Sequence, residues 1–157
     1  QALIKLGLVP FGKIVPLSGE SPTLTYNTIG RHQSQLALTK ICTNKSPWLM
    51  HCKVGEVYNI PISHGEGRFV ASDEVIAKLI ENGQIATQYV DLNGEPTMEL
   101  AYNPNSSMCA IEGIISPDGR VLGKMGHTER ISTDTCVNVD GNKEQLLFKG
   151  GVDYFRL

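Results

Sequence analysis

An α/β fold is predicted, on three observations. Segments 23–28, 35–43 and 85–91 carry β-branched and apolar side chains between turn residues, as strands do. Residues Val75, Ile76, Leu79 and Ile80 recur at helical spacing behind Ser72-Asp73-Glu74. Segments 109–115 and 120–125 flank Pro117-Asp118-Gly119, a hairpin pattern.

In chain order, strands are expected at 23–28 and 35–43, and within 49–63, most clearly over 54–62. Ser72 is the expected cap of the helix, with two acids in its first turn and Asn82-Gly83 as its stop. A strand over 85–91 precedes an Asn93-Gly94 turn. After the hairpin, a C-terminal helix is expected from Lys143 to about position 148, continuing toward 155 across Gly150-Gly151.

The 157 residues and a 41% hydrophobic content suit one domain with a core. A net charge of −2 gives no electrostatic footprint for nucleic acid, and no apolar run is long enough to cross a bilayer. No basic-then-apolar leader opens the chain. Cys42, Cys52, Cys109 and Cys136 are irregularly spaced without a C-x-x-C, which argues against zinc and for reduced thiols in a cytoplasmic protein. Cys109 reads as the start of a buried strand, where a thiol serves as a small hydrophobe. No metal or cofactor is expected to bind this chain.

The most informative run is Gly126-His127-Thr128-Glu129-Arg130. Residues i and i+2 of an extended segment share a face, so His127 and Glu129 can meet where a strand ends. The carboxylate then fixes the imidazole tautomer, and the other ring nitrogen is free to take a proton from a thiol or hydroxyl. The bland alternative is a surface turn with a solvated His and Glu.

Four blocks occur in order: His64-Gly65-Glu66-Gly67-Arg68-Phe69, Tyr102-Asn103-Pro104-Asn105-Ser106-Ser107, Ile111-Glu112-Gly113-Ile114, and the run from Gly119 to Arg130. Together they resemble the glutaminase part of phosphoribosylformylglycinamidine synthase, a class I glutamine amidotransferase of purine biosynthesis. The likeness runs from Gln1 to about Phe155. It implies a flavodoxin-like sheet with helices on both faces. It implies a Cys–His–Glu triad with His127 and Glu129 as its last two members. In that family the Cys sits on a strand-to-helix turn. The stretch from Gln1 to Pro10 resembles the end of the helix that follows, with Gly7 and Pro10 as stop signals. The nucleophile is therefore expected before Gln1, residues 1–157 are expected to be the C-terminal portion of one incomplete domain, and the chain alone is expected to be inactive.

The resemblance also implies a carbon–nitrogen ligase in the complete protein. Glutamine supplies ammonia for conversion of formylglycinamide ribonucleotide to the amidine, in a partner synthetase domain that uses ATP and magnesium. His64 and Glu66 are candidate substrate-binding residues. The alternatives for their loop are a charged connection in water or a docking element for the synthetase. Asn103-Pro104-Asn105-Ser106 reads as a rigid turn near the site. Gly126 and Thr128 stand where many relatives carry Pro, and Gly126 is expected to loosen the turn that positions His127. Another class I amidotransferase, a cysteine hydrolase, or a non-catalytic module of the same fold stays open.

Overall fold

The computed structural model describes residues 1–156. A five-stranded, wholly antiparallel sheet is built from β2 (Gln33–Ile41), β3 (Val57–His64), β5 (Ile85–Tyr89), β6 (Ile111–Ile115) and β7 (Leu122–Lys124), in the order β3-β2-β5-β6-β7. Two short strands, β1 (Thr23–Thr25) and β4 (Arg68–Val70), pair separately. The chain leaving β7 lands on β3, where the His127 N–H donates to the Pro61 carbonyl at 2.8 Å. The sheet is thus curled until its two outer strands meet at the segment that carries His127.

Side-chain alternation explains the long hairpin. Ala37, Thr39 and Ile41 on β2 and Tyr58, Ile60 and Ile62 on β3 are buried, with Ala37 across from Ile60 and Thr39 across from Tyr58. β3 starts at Val57, later than expected, because residues 47–49 form a 3-10 turn that sends Leu49 and Cys52 into the core. It ends one residue later than expected, on His64. All of β6 is buried, as befits a strand with neighbours on both edges.

Helix α3 (Asp73–Glu81) follows the sequence closely. The Ser72 hydroxyl accepts from the Val75 N–H, Ile76 and Leu79 are buried, and the chain turns at Gly83 with φ of 61°. Ile80, counted on the apolar face, is 62% exposed. Near the start, the expected helix end is two short turns, α1 (Ala2–Lys5) and α2 (Leu8–Phe11), divided by Gly7 in the left-handed region. Gly7 acts as the expected stop, whereas Pro10 lies inside the second turn.

Helix α4 (Leu147–Tyr154) begins four residues after the expected Lys143 start and runs through Gly150-Gly151. The glycines permit a close approach: a Cβ on Gly150 would lie 2.7 Å from the Pro47 carbonyl, and one on Gly151 would lie 2.6 Å from the Trp48 ring. Cys109 departs from expectation. It is exposed, and Cys109 and Ala110 both have positive φ (51° and 55°), so the ladder starts only at Ile111. No helix among the described residues is long and apolar enough to cross a membrane.

Candidate active site

The segment after β7 is fixed before it reaches the histidine. The Met125 N–H donates to the Glu112 carbonyl (3.1 Å) and to Glu112 Oε1 (3.0 Å), and the Gly126 N–H donates to the same Oε1. Gly126 therefore does not loosen the turn. It is buried, and a Cβ there would meet Ile60 Cγ2 at 2.8 Å and Glu112 Oε1 at 3.0 Å. A side chain here would force Ile60 or Glu112 to shift, and glycine lets β3 and β6 close on this point as they stand.

His127 Nδ1 and Glu129 Oε1 are 2.6 Å apart. Their meeting does not come from strand pleat. His127 caps a 3-10 turn, Thr128–Arg130, and the turn folds the Glu129 side chain back onto the ring. Burial pushes the Glu129 carboxyl up, but the His127 hydrogen bond, a backbone hydrogen bond and the neighbouring His127 and Arg130 together outweigh it, and the group ends below the usual carboxylate range. His127 Nε2 is shielded from solvent and has no hydrogen-bond partner. With Nδ1 as donor to the carboxylate, Nε2 is the acceptor that acid–base chemistry needs.

This pair lines a cleft of about 780 Å³ that also involves Gln1, Leu3, Ile4, His64 and Glu66. The His64 ring stacks on His127 with centroids 4.9 Å apart and planes at 16°. Burial, and then the neighbouring His127, push the His64 ring down to about 4. His64 is thus driven toward its neutral form against the His127 ring. Glu66 is exposed at the cleft mouth and accepts from the Gln1 side-chain amide at 2.9 Å. All four residues singled out in the sequence, His64, Glu66, His127 and Glu129, are brought to one cleft.

Further residues shape the site. Asn27 is 2% exposed; its side-chain amide donates to the His64 carbonyl (2.7 Å), and its oxygen accepts from the Gly67 N–H (3.2 Å). It thereby holds both ends of the His64–Gly67 loop. Asn103 and Asn105 are fully buried. Asn103 bonds the Ser107 backbone, Ser107 Oγ bridges the Gly67 carbonyl and the Phe69 N–H, and Asn105 packs on Gly67. The Asn-Pro-Asn-Ser run is a scaffold for that loop. Next to the Glu129 turn, Lys124, its side chain 10% exposed, donates to Thr128 Oγ1 (3.1 Å) and Gln145 Oε1 (2.9 Å).

None of the four cysteines lines this cleft. Burial pushes the Cys42 thiol up to about 11 and raises Cys52 as well, which opposes thiolate formation. Among the described residues, no three His, Cys, Asp or Glu side chains gather in a metal-holding group.

The chain belongs to the CobB/CobQ-like glutamine amidotransferase domain family, whose profile matches residues 1–155. It is 37% identical over 132 residues to phosphoribosylformylglycinamidine synthase subunit PurQ of Methanocaldococcus jannaschii, covering 84% of this chain and 55% of that protein. PurQ of Aquifex aeolicus is 34% identical over 141 residues, covering 90% of this chain and 56% of that protein. PurQ of Chlorobium chlorochromatii is 48% identical over 95 residues, 60% of this chain and 38% of that protein. The chain thus spans about half the length of the curated relatives it matches, or less. A chain in the structure of PurLQS from Thermotoga maritima superposes over 99% of this chain and 58% of its own length, with a TM-score of 0.68 at 26% identity. The α/β fold is therefore that of a class I glutamine amidotransferase.

Proposed function

We propose that this chain supplies the acid–base half of a glutaminase site, the ammonia source of a phosphoribosylformylglycinamidine synthase. The observation that carries this reading is the Nδ1–Glu129 hydrogen bond with an unpartnered Nε2, at a cleft that Gln1, Leu3 and Ile4 also line. The nucleophile is a cysteine from sequence preceding Gln1, and residues 1–157 form the C-terminal portion of the amidotransferase domain. His127 Nε2 takes the thiol proton as sulfur bonds to the side-chain carbonyl carbon of glutamine. The imidazolium returns that proton to the amide nitrogen as the C–N bond breaks and ammonia leaves. Water then attacks the thioester, giving a proton to His127; the C–S bond breaks, the thiol is restored, and glutamate departs. Glu129 holds the tautomer and stabilises the imidazolium throughout. His64 and Glu66 wall the glutamine pocket.

Ammonia passes to a synthetase partner, where formylglycinamide ribonucleotide is converted with ATP and magnesium; neither binds in this chain. The names of the PurQ relatives and of the PurLQS neighbour support that partner.

The test compares nitrogen sources. In the complete protein with its synthetase, His127→Ala lowers glutamine-dependent synthesis by at least about 10²-fold, the usual minimum worth of a general acid–base group. Ammonia-dependent synthesis is retained. The 157-residue chain by itself hydrolyses no glutamine. Equal loss of both syntheses, or turnover by the isolated chain, contradicts the reading.

A further inference from the structure

Glu112 is the second residue of β6, and its side chain is wholly out of solvent. A carboxylate in such a place is costly unless its oxygens are satisfied. An apolar side chain would fill the same space without that cost. What the carboxylate does is specific. Oε1 accepts from two successive backbone N–H groups, those of Met125 and Gly126, and Oε2 accepts from the Thr87 hydroxyl on β5. The Lys124 ammonium lies 3.9 Å from Oε1 and supplies the countercharge. Lys124 in turn bonds Thr128 and Gln145, on the far side of His127.

These two N–H groups lie where the chain leaves β7, before His127 makes its own bond to Pro61. The Met125 N–H is shared between the Glu112 backbone carbonyl, where the ladder ends, and the Glu112 carboxylate, which also takes the Gly126 N–H and so carries the departing segment one residue past the ladder. We infer that Glu112 is a positioning residue: its buried carboxylate fixes the Met125–Gly126 peptide groups and so sets where the His127 ring stands relative to Glu129 and the cleft. The inference rests on the reading of His127 as the proton carrier. The sequence showed Ile111-Glu112-Gly113-Ile114 only as part of a resemblance, since nothing local says that a strand glutamate reaches across to a neighbouring strand's exit.

Two conservative variants separate reach from charge. Glu112→Asp keeps the charge but is one methylene too short. Glu112→Gln keeps the reach and an acceptor oxygen. In the complete protein, Glu112→Asp lowers kcat of glutamine-dependent synthesis by about tenfold or more, because small misplacements of a reacting group cost that much. The KM for glutamine stays within about twofold, since ground-state binding is untouched. Glu112→Gln recovers most of the loss. Ammonia-dependent synthesis in the same samples reports that the protein is folded and assembled. Amide hydrogen exchange at Met125 and Gly126 is faster in Glu112→Asp than in the parent.

An unchanged kcat in Glu112→Asp overturns the proposal, as does a matching fall in ammonia-dependent synthesis. Equal damage from Asp and Gln also overturns it, because a variant that keeps the reach would then fare no better than one that loses it. If His127→Ala leaves glutamine-dependent synthesis intact, the glutaminase reading has failed instead. The exchange rates then still decide whether Glu112 holds this segment: faster exchange upholds the clamp, and unchanged exchange overturns it.

Discussion

Two histidines meet face to face in the cleft, and they are held in opposite ways. His127 rides on a turn clamped from both sides, by Pro61 of β3 and by the buried Glu112 of β6. Its ring has a carboxylate partner in Glu129. His64 ends β3 and opens a loop tied down by Asn27 and Ser107, and its ring Nδ1 is buried without a partner. The same side chain becomes two different chemical groups. One has an oriented tautomer and a stabiliser for positive charge; the other is driven toward neutrality by burial and by its neighbour. The environment, not the residue type, assigns the roles.

The contrast can be broken by mutation. Glu129→Gln removes the charge that steadies His127 and lowers glutamine-dependent kcat by about 10²-fold, the cost of a misplaced catalytic group. This loss stays smaller than that of His127→Ala. His64→Ala acts mainly on binding: the KM for glutamine rises, while kcat falls by less than about tenfold. Steady-state kinetics on the three variants of the complete protein checks the order. A His64 effect on kcat equal to that of Glu129 would mean that both rings carry protons.

The packing differs as the chemistry does, and glycines report it. A Cβ on Gly126 runs into Ile60 and Glu112, whereas a Cβ on Gly65 meets nothing within 4 Å. Gly126→Ala therefore costs about 1–3 kcal/mol of stability, the usual range for overpacking. Gly65→Ala stays within about 0.5 kcal/mol of the parent, as open surface changes do. Chemical denaturation of both variants measures the difference. Similar values for the two would show that the His127 segment has room to relax.

Much of this fold was legible in the sequence, and the residues say why. The α3 helix carries its own cap, spacing and stop, all within a dozen positions. The β6–β7 hairpin is marked by its turn. What stayed hidden depends on distant partners. β4 is three residues long and exists because Arg68–Val70 pairs with Thr23–Thr25. Lys143 has helix-forming neighbours, yet α4 starts later, where Gly150 and Gly151 fit against Pro47 and Trp48.

The site shows the same division. His127 and Glu129 were readable because they are two residues apart, although a 3-10 turn and not a strand brings them together. Cys109 looked like core, but left-handed backbone at Cys109 and Ala110 turns it outward. The stacking of His64 on His127 and the reach of Glu112 to Gly126 join separate strands, and no periodicity records such contacts.

The central claim is that Glu129 fixes the His127 tautomer and leaves Nε2 bare for the nucleophile's proton. Nitrogen-15 NMR of the ring nitrogens, followed from about pH 8 downward, tests it most directly. The same titration should show His64 unprotonated until the pH falls toward about 4, well below the ordinary value near 6.5. Because an unfolded chain binds that proton earlier, the His64 contribution to stability declines as pH drops through this window. For the neutral His127 ring the account predicts the Nδ1–H tautomer, with an unprotonated Nε2. An Nε2–H tautomer there, with Nδ1 bare beside Glu129, would contradict it.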